Sequence, residues 1–324
     1  MSQFENISYL MIETNSSCNL KCSWCNRERL VKEGMRQPKN VTVDEFSKML
    51  EVFKKCSIDT VKLEGISEPF LHPQFDLMAQ TLRSYFPKAF VIIATNCQYN
   101  VEKTAFFKTL PFVDMIYLSV DGTGKVFEEA RTGASYAKLL RTFDMILENV
   151  PEAERKKKLY INFTATEENI HQLPEIYDLK EKYGFAGVRI NLVQNWNEDE
   201  KNSHVFSAGF MDMIHRYKQD LKGVPGWEYS ECFWPYAGII VDVFGNFRQC
   251  IINTSQKPLG NIFNDDIESI FNDSAHYSNV REQLSKNCSP ESCATCDYKH
   301  QSVLLQEILG GKHVQNVPRK FKKC

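Results

Sequence analysis

Three cysteines fall within eight residues, in the run Cys18-Asn-Leu-Lys-Cys22-Ser-Trp-Cys25. Three thiolates on one short loop can hold three irons of a [4Fe–4S] cube, and the missing fourth protein ligand leaves one iron open to a substrate or cofactor. The competing reading is a zinc knuckle, which wants four protein ligands in a closed tetrahedron. No histidine is near in sequence, the nearest being His72, so the cube suits the run better. A second group, Cys232, Cys250, Cys288, Cys293 and Cys296, occupies the last third of the chain, while Cys56, Cys97 and Cys324 stand alone. Spacing by itself leaves the second group open between an iron–sulfur cluster and a four-cysteine zinc ribbon.

Side chains of this kind work only if regular elements hold them. From about residue 7 to residue 194, short β-branched apolar runs alternate with longer amphipathic ones, the pattern of βα units in a parallel sheet. The pattern predicts strands at Ser8–Glu13, Thr60–Glu64, Phe90–Thr95, Met115–Val120, Leu159–Thr164 and Gly187–Val193. Helices are expected near Val43–Lys55, Gln74–Tyr85, Val101–Leu110, Tyr136–Leu147 and His171–Tyr183. In the first of these, Phe46, Met49, Leu50 and Phe53 recur at helical spacing, an apolar stripe for packing on the sheet. Cys18–Cys25 therefore sits in the long loop between the first strand and the first helix. Polar, aperiodic residues at about 195–207 read as a linker, followed by a helix near Phe210–Leu221 and a break at Gly223–Gly226. Beyond a boundary near residue 225 the texture changes to short strands and turns, with a hairpin turn at Gly245–Asn246. A last helix near Tyr298–Leu309 ends on Gly310–Gly311, and 312–324 reads as a basic flexible tail. The expected domains are thus 1–225, 226–311 and the tail.

Composition narrows the classes of function. With 324 residues, 43% hydrophobic and 25% charged, the chain has material for a large core. Lys+Arg 39 against Asp+Glu 41 leaves a net charge of -2, which calls for neither nucleic acid nor an anionic membrane as partner. The first residues lack the basic and apolar regions of a signal peptide, and no stretch approaches the roughly 18 apolar residues of a membrane span. A cytoplasmic location is expected, and there eleven cysteines point to metal or cluster ligation before disulfides.

The run Cys18–Cys25 resembles the CxxxCxxC signature of the radical S-adenosylmethionine (SAM) enzymes, with Trp24 in the place of the aromatic before the third cysteine. Further matches fall at expected strand ends. Gly65-Ile-Ser67-Glu68-Pro69 is similar to the family's GGEP segment, although its second glycine is replaced; Thr95-Asn96-Cys97 stands where relatives read TNG; Ser119-Val-Asp121-Gly122 is similar to SxDG; and Arg131 occupies the place of an arginine that often follows this strand. The resemblance implies an α/β fold, a partial (β/α)6 TIM barrel followed by a small C-terminal α+β domain. It implies SAM bound at the open iron, with Trp24, Ser67, Glu68, Pro69, Asn96, Ser119, Asp121 and Arg131 as the cofactor-binding residues. Glu68 would hold the SAM amino group, Ser119 and Asp121 would lie near its ribose and carboxylate, and Arg131 would pair with that carboxylate. Reductive cleavage of SAM would then yield a 5′-deoxyadenosyl radical that abstracts hydrogen from substrate.

The second cysteine group is similar to the twitch domain, a shortened relative of the SPASM domain, which implies one auxiliary [4Fe–4S] cluster. Its ligands would be Cys232, Cys250, Cys293 and Cys296, with Cys288 as the spare. Cys97 is a candidate hydrogen donor to a substrate radical, against the plainer reading of a buried small thiol. Arg189 and Asn191, two apart on the sixth strand, share a face and could meet SAM or substrate. The expected reaction is oxidation or epimerisation of a small polar substrate such as a sugar or aminocyclitol, because a barrel beginning near residue 7 leaves no room for a leader-peptide-binding domain before it. The alternatives are a maturase of a ribosomal peptide and, from another class, a non-catalytic iron–sulfur or zinc protein. A reducing partner such as flavodoxin or ferredoxin is implied.

Overall fold

The computed structural model describes residues 2–194, 206–220, 232–251 and 257–286, together with Cys288, Pro290, Cys293 and Cys296. Most of the expected linker, the boundary near 225, the helix at 298–309 and the tail lie outside the described residues. Two compact units are formed, one from residues 1–21, 25–117 and 233–282, the other from 22–24, 118–232 and 283–324. Strands β1 (Tyr9–Ile12), β2 (Thr60–Lys62), β3 (Phe90–Thr95), β4 (Met115–Ser119), β5 (Leu159–Ala165) and β6 (Gly187–Leu192) occupy the six expected places. β4 begins in the first unit and ends in the second.

In the first unit β1 pairs parallel with β2, starting from Tyr9 opposite Thr60, and β2 pairs parallel with β3. On its other edge β1 pairs parallel with β7 (Gly238–Val241), which turns back antiparallel through β8 (Asn246–Arg248) and β9 (Gly260–Asn261). The hairpin expected in a separate C-terminal domain thus extends the first sheet. All four residues of β1 are buried, as the apolar run of a strand covered on both faces requires. The hairpin turn falls where expected: Gly245 takes φ +78° and the Asp242 carboxylate accepts from the amides of Phe244 and Asn246.

The helix Val43–Val52 begins with a reciprocal cap, in which the Thr42 hydroxyl accepts from the Glu45 amide and the Glu45 carboxylate from the Thr42 amide. Its buried face is Phe46, Met49 and Leu50. The segment expected as one helix near 101–110 is broken instead into a turn at Val101–Lys103, a helix at Phe106–Thr109 and a turn at Leu110–Phe112. The Asn100 side chain caps only the first of these, and Pro111 stands in the last.

In the second unit β5 and β6 pair parallel from Tyr160 opposite Gly187 to Ala165 opposite Leu192. Ile161, Phe163, Val188 and Ile190 are buried on one face, while Asn162, Arg189 and Asn191 lie half-buried on the other. The helix Leu173–Tyr183 stops at Gly184, whose φ of +62° is the left-handed conformation that suits glycine at a helix end. No described helix is long and apolar enough to cross a membrane.

The ends of β1 and β2 are joined through a carboxylate. Glu13, just past β1, is 3% exposed, and its Oε1 accepts from the Ile66 amide at 2.8 Å and from Arg36 at 2.9 Å, while Oε2 accepts from Arg36 at 3.2 Å. A Cβ on Gly65 would stand 1.8 Å from that Oε1, so glycine is required there by close approach. Gly65→Ala must expel the carboxylate and strand the Arg36 charge, and we expect a loss of about 3–5 kcal/mol, the usual cost of breaking a buried ion pair. Chemical denaturation of the two apoproteins side by side measures it; equal stability would mean that Glu13 has another place to go.

Candidate active site

The loop that carries Cys18, Cys22 and Cys25 is tied down along its first turns. Asn15 Nδ2 donates to the Glu68 carbonyl at 3.0 Å, and the Glu68 amide donates to the Ser17 carbonyl at 2.9 Å. The Ser16 hydroxyl donates to Gln37 O at 2.6 Å and accepts from the Lys39 amide at 2.7 Å. Asn19 Nδ2 donates to Gln98 O at 2.7 Å. The bonds of Asn15, Ser17 and Asn19 bind the loop to the ends of β2 and β3, so that the start of the cysteine run lies against Gly65–Pro69 and the residues that follow Cys97. The three cysteines are thiols, each half-exposed. Cys18 Sγ accepts from the Leu20 amide at 3.5 Å and lies 3.8 Å from Asn96 Nδ2. Donors aimed at sulfur suit an anionic thiolate ligand, and the set fits the three-cysteine attachment of a [4Fe–4S] cluster.

Glu68 is the centre of this network and is 1% exposed. Its Oε1 accepts from Thr95 Oγ1 at 2.7 Å and from the Phe70 amide at 3.2 Å, and its Oε2 from the Asn96 amide at 2.6 Å. The sequence places this carboxylate against a SAM amino group; the structure gives it first a structural task, stapling the end of β2 to the end of β3. Pro69 is buried and opens the short turn Pro69–Leu71, while Ser67 is half-buried. Asn96 is buried, donating from Nδ2 to Asn19 Oδ1 at 2.9 Å. Cys97 is fully buried in the left-handed conformation, φ +58°, with its thiol 3.9 Å from the Thr95 carbonyl. The resemblance to the TNG segment implies glycine at this place, and the backbone there is of the kind that favours glycine.

In the second unit Asp121 is completely buried and Ser119 is 8% exposed. Asp121 Oδ2 accepts from Arg131 Nε at 2.5 Å and Oδ1 from the Thr164 amide at 2.5 Å. Burial pushes the Asp121 carboxyl up from its ordinary range, and the Arg131 charge and the Thr164 amide pull it back. Asp121 and Arg131, both expected near SAM, pair with each other. Arg131 Nη1 also lies 4.0 Å from Cys22 Sγ, and its guanidinium stands 5.9 Å from the centre of the Trp24 ring. Gly122, φ +144°, opens a turn in which the Thr123 amide donates to Gln172 Oε1 at 2.6 Å. Asn191 Nδ2 donates to Asn162 Oδ1 at 2.7 Å on the same face as Arg189.

Among the second cysteines, Cys250 follows β8 and is buried, while Cys232, Cys293 and Cys296 are half-exposed thiols. Cys293 and Cys296 lie on one turn, with the Cys296 amide donating to Cys293 O at 3.2 Å. Cys288 is buried and disulfide-bonded. Sequence reasoning did not find Glu13, Asn15, Asn19 or Arg36. The available signal was a carboxylate, Glu13, ending an otherwise apolar strand.

Comparison with known proteins agrees with this geometry. The model of the radical SAM superfamily matches residues 12–179, and that of an iron–sulfur cluster-binding domain, SPASM, matches residues 232–297. The antilisterial bacteriocin subtilosin biosynthesis protein AlbA of Bacillus subtilis is 21% identical over 323 residues, covering 92% of this chain and 67% of that protein. The tungsten-containing aldehyde ferredoxin oxidoreductase cofactor-modifying protein of Pyrococcus furiosus is 25% identical over 215 residues, 64% of this chain and 57% of that one. Among solved structures, Streptococcus suis SuiB bound to SAM superposes with a TM-score of 0.67 at 17% identity, over 91% of this chain and 72% of that one. Native anSMEcpe with bound AdoMet gives 0.67 at 15% identity, over 94% and 97%, and BtrN with AdoMet and 2-DOIA gives 0.54 at 17%, over 86% and 87%. These structural likenesses establish the α/β fold. With the family model spanning more than half of its length, the chain belongs to the radical SAM superfamily, binds a [4Fe–4S] cluster and SAM, and carries a SPASM-type auxiliary iron–sulfur domain.

Proposed function

We propose that this enzyme oxidises a C–H position of a ribosomally made peptide. The observation that carries the substrate class is the likeness to AlbA, which runs over 92% of this chain and so includes the region of the second cysteine group. This replaces the small polar substrate expected from the sequence, which becomes the competing outcome of the test. Cys18, Cys22 and Cys25 would hold the catalytic cluster, and Cys232, Cys250, Cys293 and Cys296 one auxiliary cluster. When bound, these groups with SAM supply a 5′-deoxyadenosyl radical that takes a hydrogen atom and an acceptor for the electron left behind.

The chain's own residues act by position. Glu68, Thr95 and Asn96 hold the β2 and β3 ends at fixed separation, so that the backbone carbonyls of the Gly65–Pro69 segment stay available to an ammonium group. Asn15 and Ser17 fix the cysteine loop against the same segment. Oxidation is favoured over epimerisation by the state of Cys97, the thiol proposed as hydrogen donor. A donor must reach the substrate carbon, and Cys97 is fully buried beside its own backbone. A flavodoxin or ferredoxin is the proposed reductant.

Three outcomes are expected. Anaerobically reconstituted protein holds about eight irons and the triple variant of Cys18, Cys22 and Cys25 to Ala about four; zinc in the second site would overturn the auxiliary cluster. Glu68→Gln weakens SAM binding about ten- to a hundredfold, read by equilibrium dialysis beside circular dichroism of the same sample, since a hydrogen bond to a charged group is worth about 1.5–3 kcal/mol; a folded variant with unaltered affinity would confine Glu68 to its staple. The short open reading frames flanking this gene are expected to include one whose peptide, with dithionite and SAM, stimulates 5′-deoxyadenosine formation and loses two hydrogens, and in deuterated water Cys97→Gly gives the same product without deuterium. Stimulation by an aminocyclitol and not by the peptide would restore the small-substrate reading, and deuterium at an inverted carbon, lost in Cys97→Gly, would overturn oxidation.

A further inference from the structure

We propose that Arg131 sets the reduction potential of the cluster held by Cys18, Cys22 and Cys25, acting as a cationic donor to the Cys22 sulfur and held in that role by Asp121. The proposal rests on cluster binding and not on the identity of the substrate. Arg131 is 7% exposed, and different parts of its guanidinium face different groups. The Nε side is bound to the fully buried Asp121 at 2.5 Å, the Nη1 end points to Cys22 Sγ at 4.0 Å, and the group stands 5.9 Å from the Trp24 ring centre. Asp121 is itself fixed, since its other oxygen accepts from the Thr164 amide. The loop is brought to the arginine by a backbone bond from the Ser23 amide to Ala130 O at 3.4 Å, one residue before Arg131. A planar guanidinium can bond a carboxylate with one nitrogen and face a sulfur with another; an ammonium is a single point charge and cannot do both with the same geometry.

Reduction adds one negative charge to the cluster, and a cation next to a ligating sulfur stabilises the reduced form, which raises the potential. Arg131 is itself buried, so water screens its charge less than it screens that of a surface lysine. Asp121 contributes a charge of the opposite sign on the far side of the guanidinium. The two partners therefore pull the potential in opposite directions, a sign pattern that a loosened fold would not reproduce.

The test is an anaerobic potentiometric titration of the reconstituted full chain, followed by the electron paramagnetic resonance of the reduced cluster whose signal changes on adding SAM. Iron content is measured in parallel. Arg131→Gln should move the midpoint to more negative potential, Asp121→Asn to more positive, and Arg131→Lys should fall between Arg131→Gln and wild type, with the signal that is insensitive to SAM unchanged in all three. If Arg131→Gln fails to assemble its cluster, the comparison of Arg131→Lys and Asp121→Asn with wild type still decides the signs. Midpoints that stay put, or that move the same way in the arginine and aspartate variants, would overturn the proposal. So would a loss of SAM binding in Arg131→Gln at unchanged potential, which would return the arginine to the SAM carboxylate.

Discussion

The first unit depends on one buried carboxylate. Glu68 bonds the Phe70 amide in its own turn, the Thr95 hydroxyl at the end of β3 and the Asn96 amide beyond it, while its backbone exchanges bonds with Asn15 and Ser17. Three successive βα loops are therefore referenced to one residue. A carboxyl group that is 1% exposed is tolerated only when its oxygens are bonded, and the donors here are mostly backbone amides, which cannot rotate away. The loop bearing Cys18 inherits that rigidity, because Asn96 reaches both Asn19 and the Cys18 sulfur.

Much of this was legible in the sequence. The six strands stand where alternating apolar runs placed them, because a strand buried on both faces has few ways to be written other than Tyr9-Leu-Met-Ile12. The three-cysteine loop and the strand-end segments were legible for a related reason, since short motifs at strand ends fix chemistry and geometry together. What the sequence did not carry was pairing across long separations. The parallel union of β7 with β1 joins residues more than two hundred positions apart, and a local period marks a strand without naming its neighbour. The helix expected at 101–110 failed for a local reason, the competing cap at Asn100.

The polar motif residues show a further limit. A motif says that a residue type is needed at a place, and for Asp121 and Arg131 the ligand was taken to be the cofactor. The structure shows the chain supplying each with the other as partner. Glu68 shows the same division, a residue read as a cofactor contact that first holds the protein together. Side chains that face inward at the ends of strands cannot be told from those that face a ligand by spacing, because both occur at the same pleat positions.

Two buried ion pairs now fall into one pattern. Glu13 holds Arg36, whose Nε lies 3.4 Å from the Ser16 carbonyl; Asp121 holds Arg131, whose Nη1 lies 4.0 Å from the Cys22 sulfur. In each, a deep carboxylate orients an arginine, and the arginine turns another of its nitrogens to the cysteine loop. Such pairs are expensive to desolvate, and well-packed apolar residues in their place are often no less stabilising. Apolar residues would fill the space but could not bond a carbonyl or face a sulfur. A loop that must keep three thiolates spaced for a cluster gains from supports that are directional as well as tight. The arginine fork, with its carboxylate behind it, provides that direction at two points along the fourteen residues between β1 and the helix that starts at Arg27.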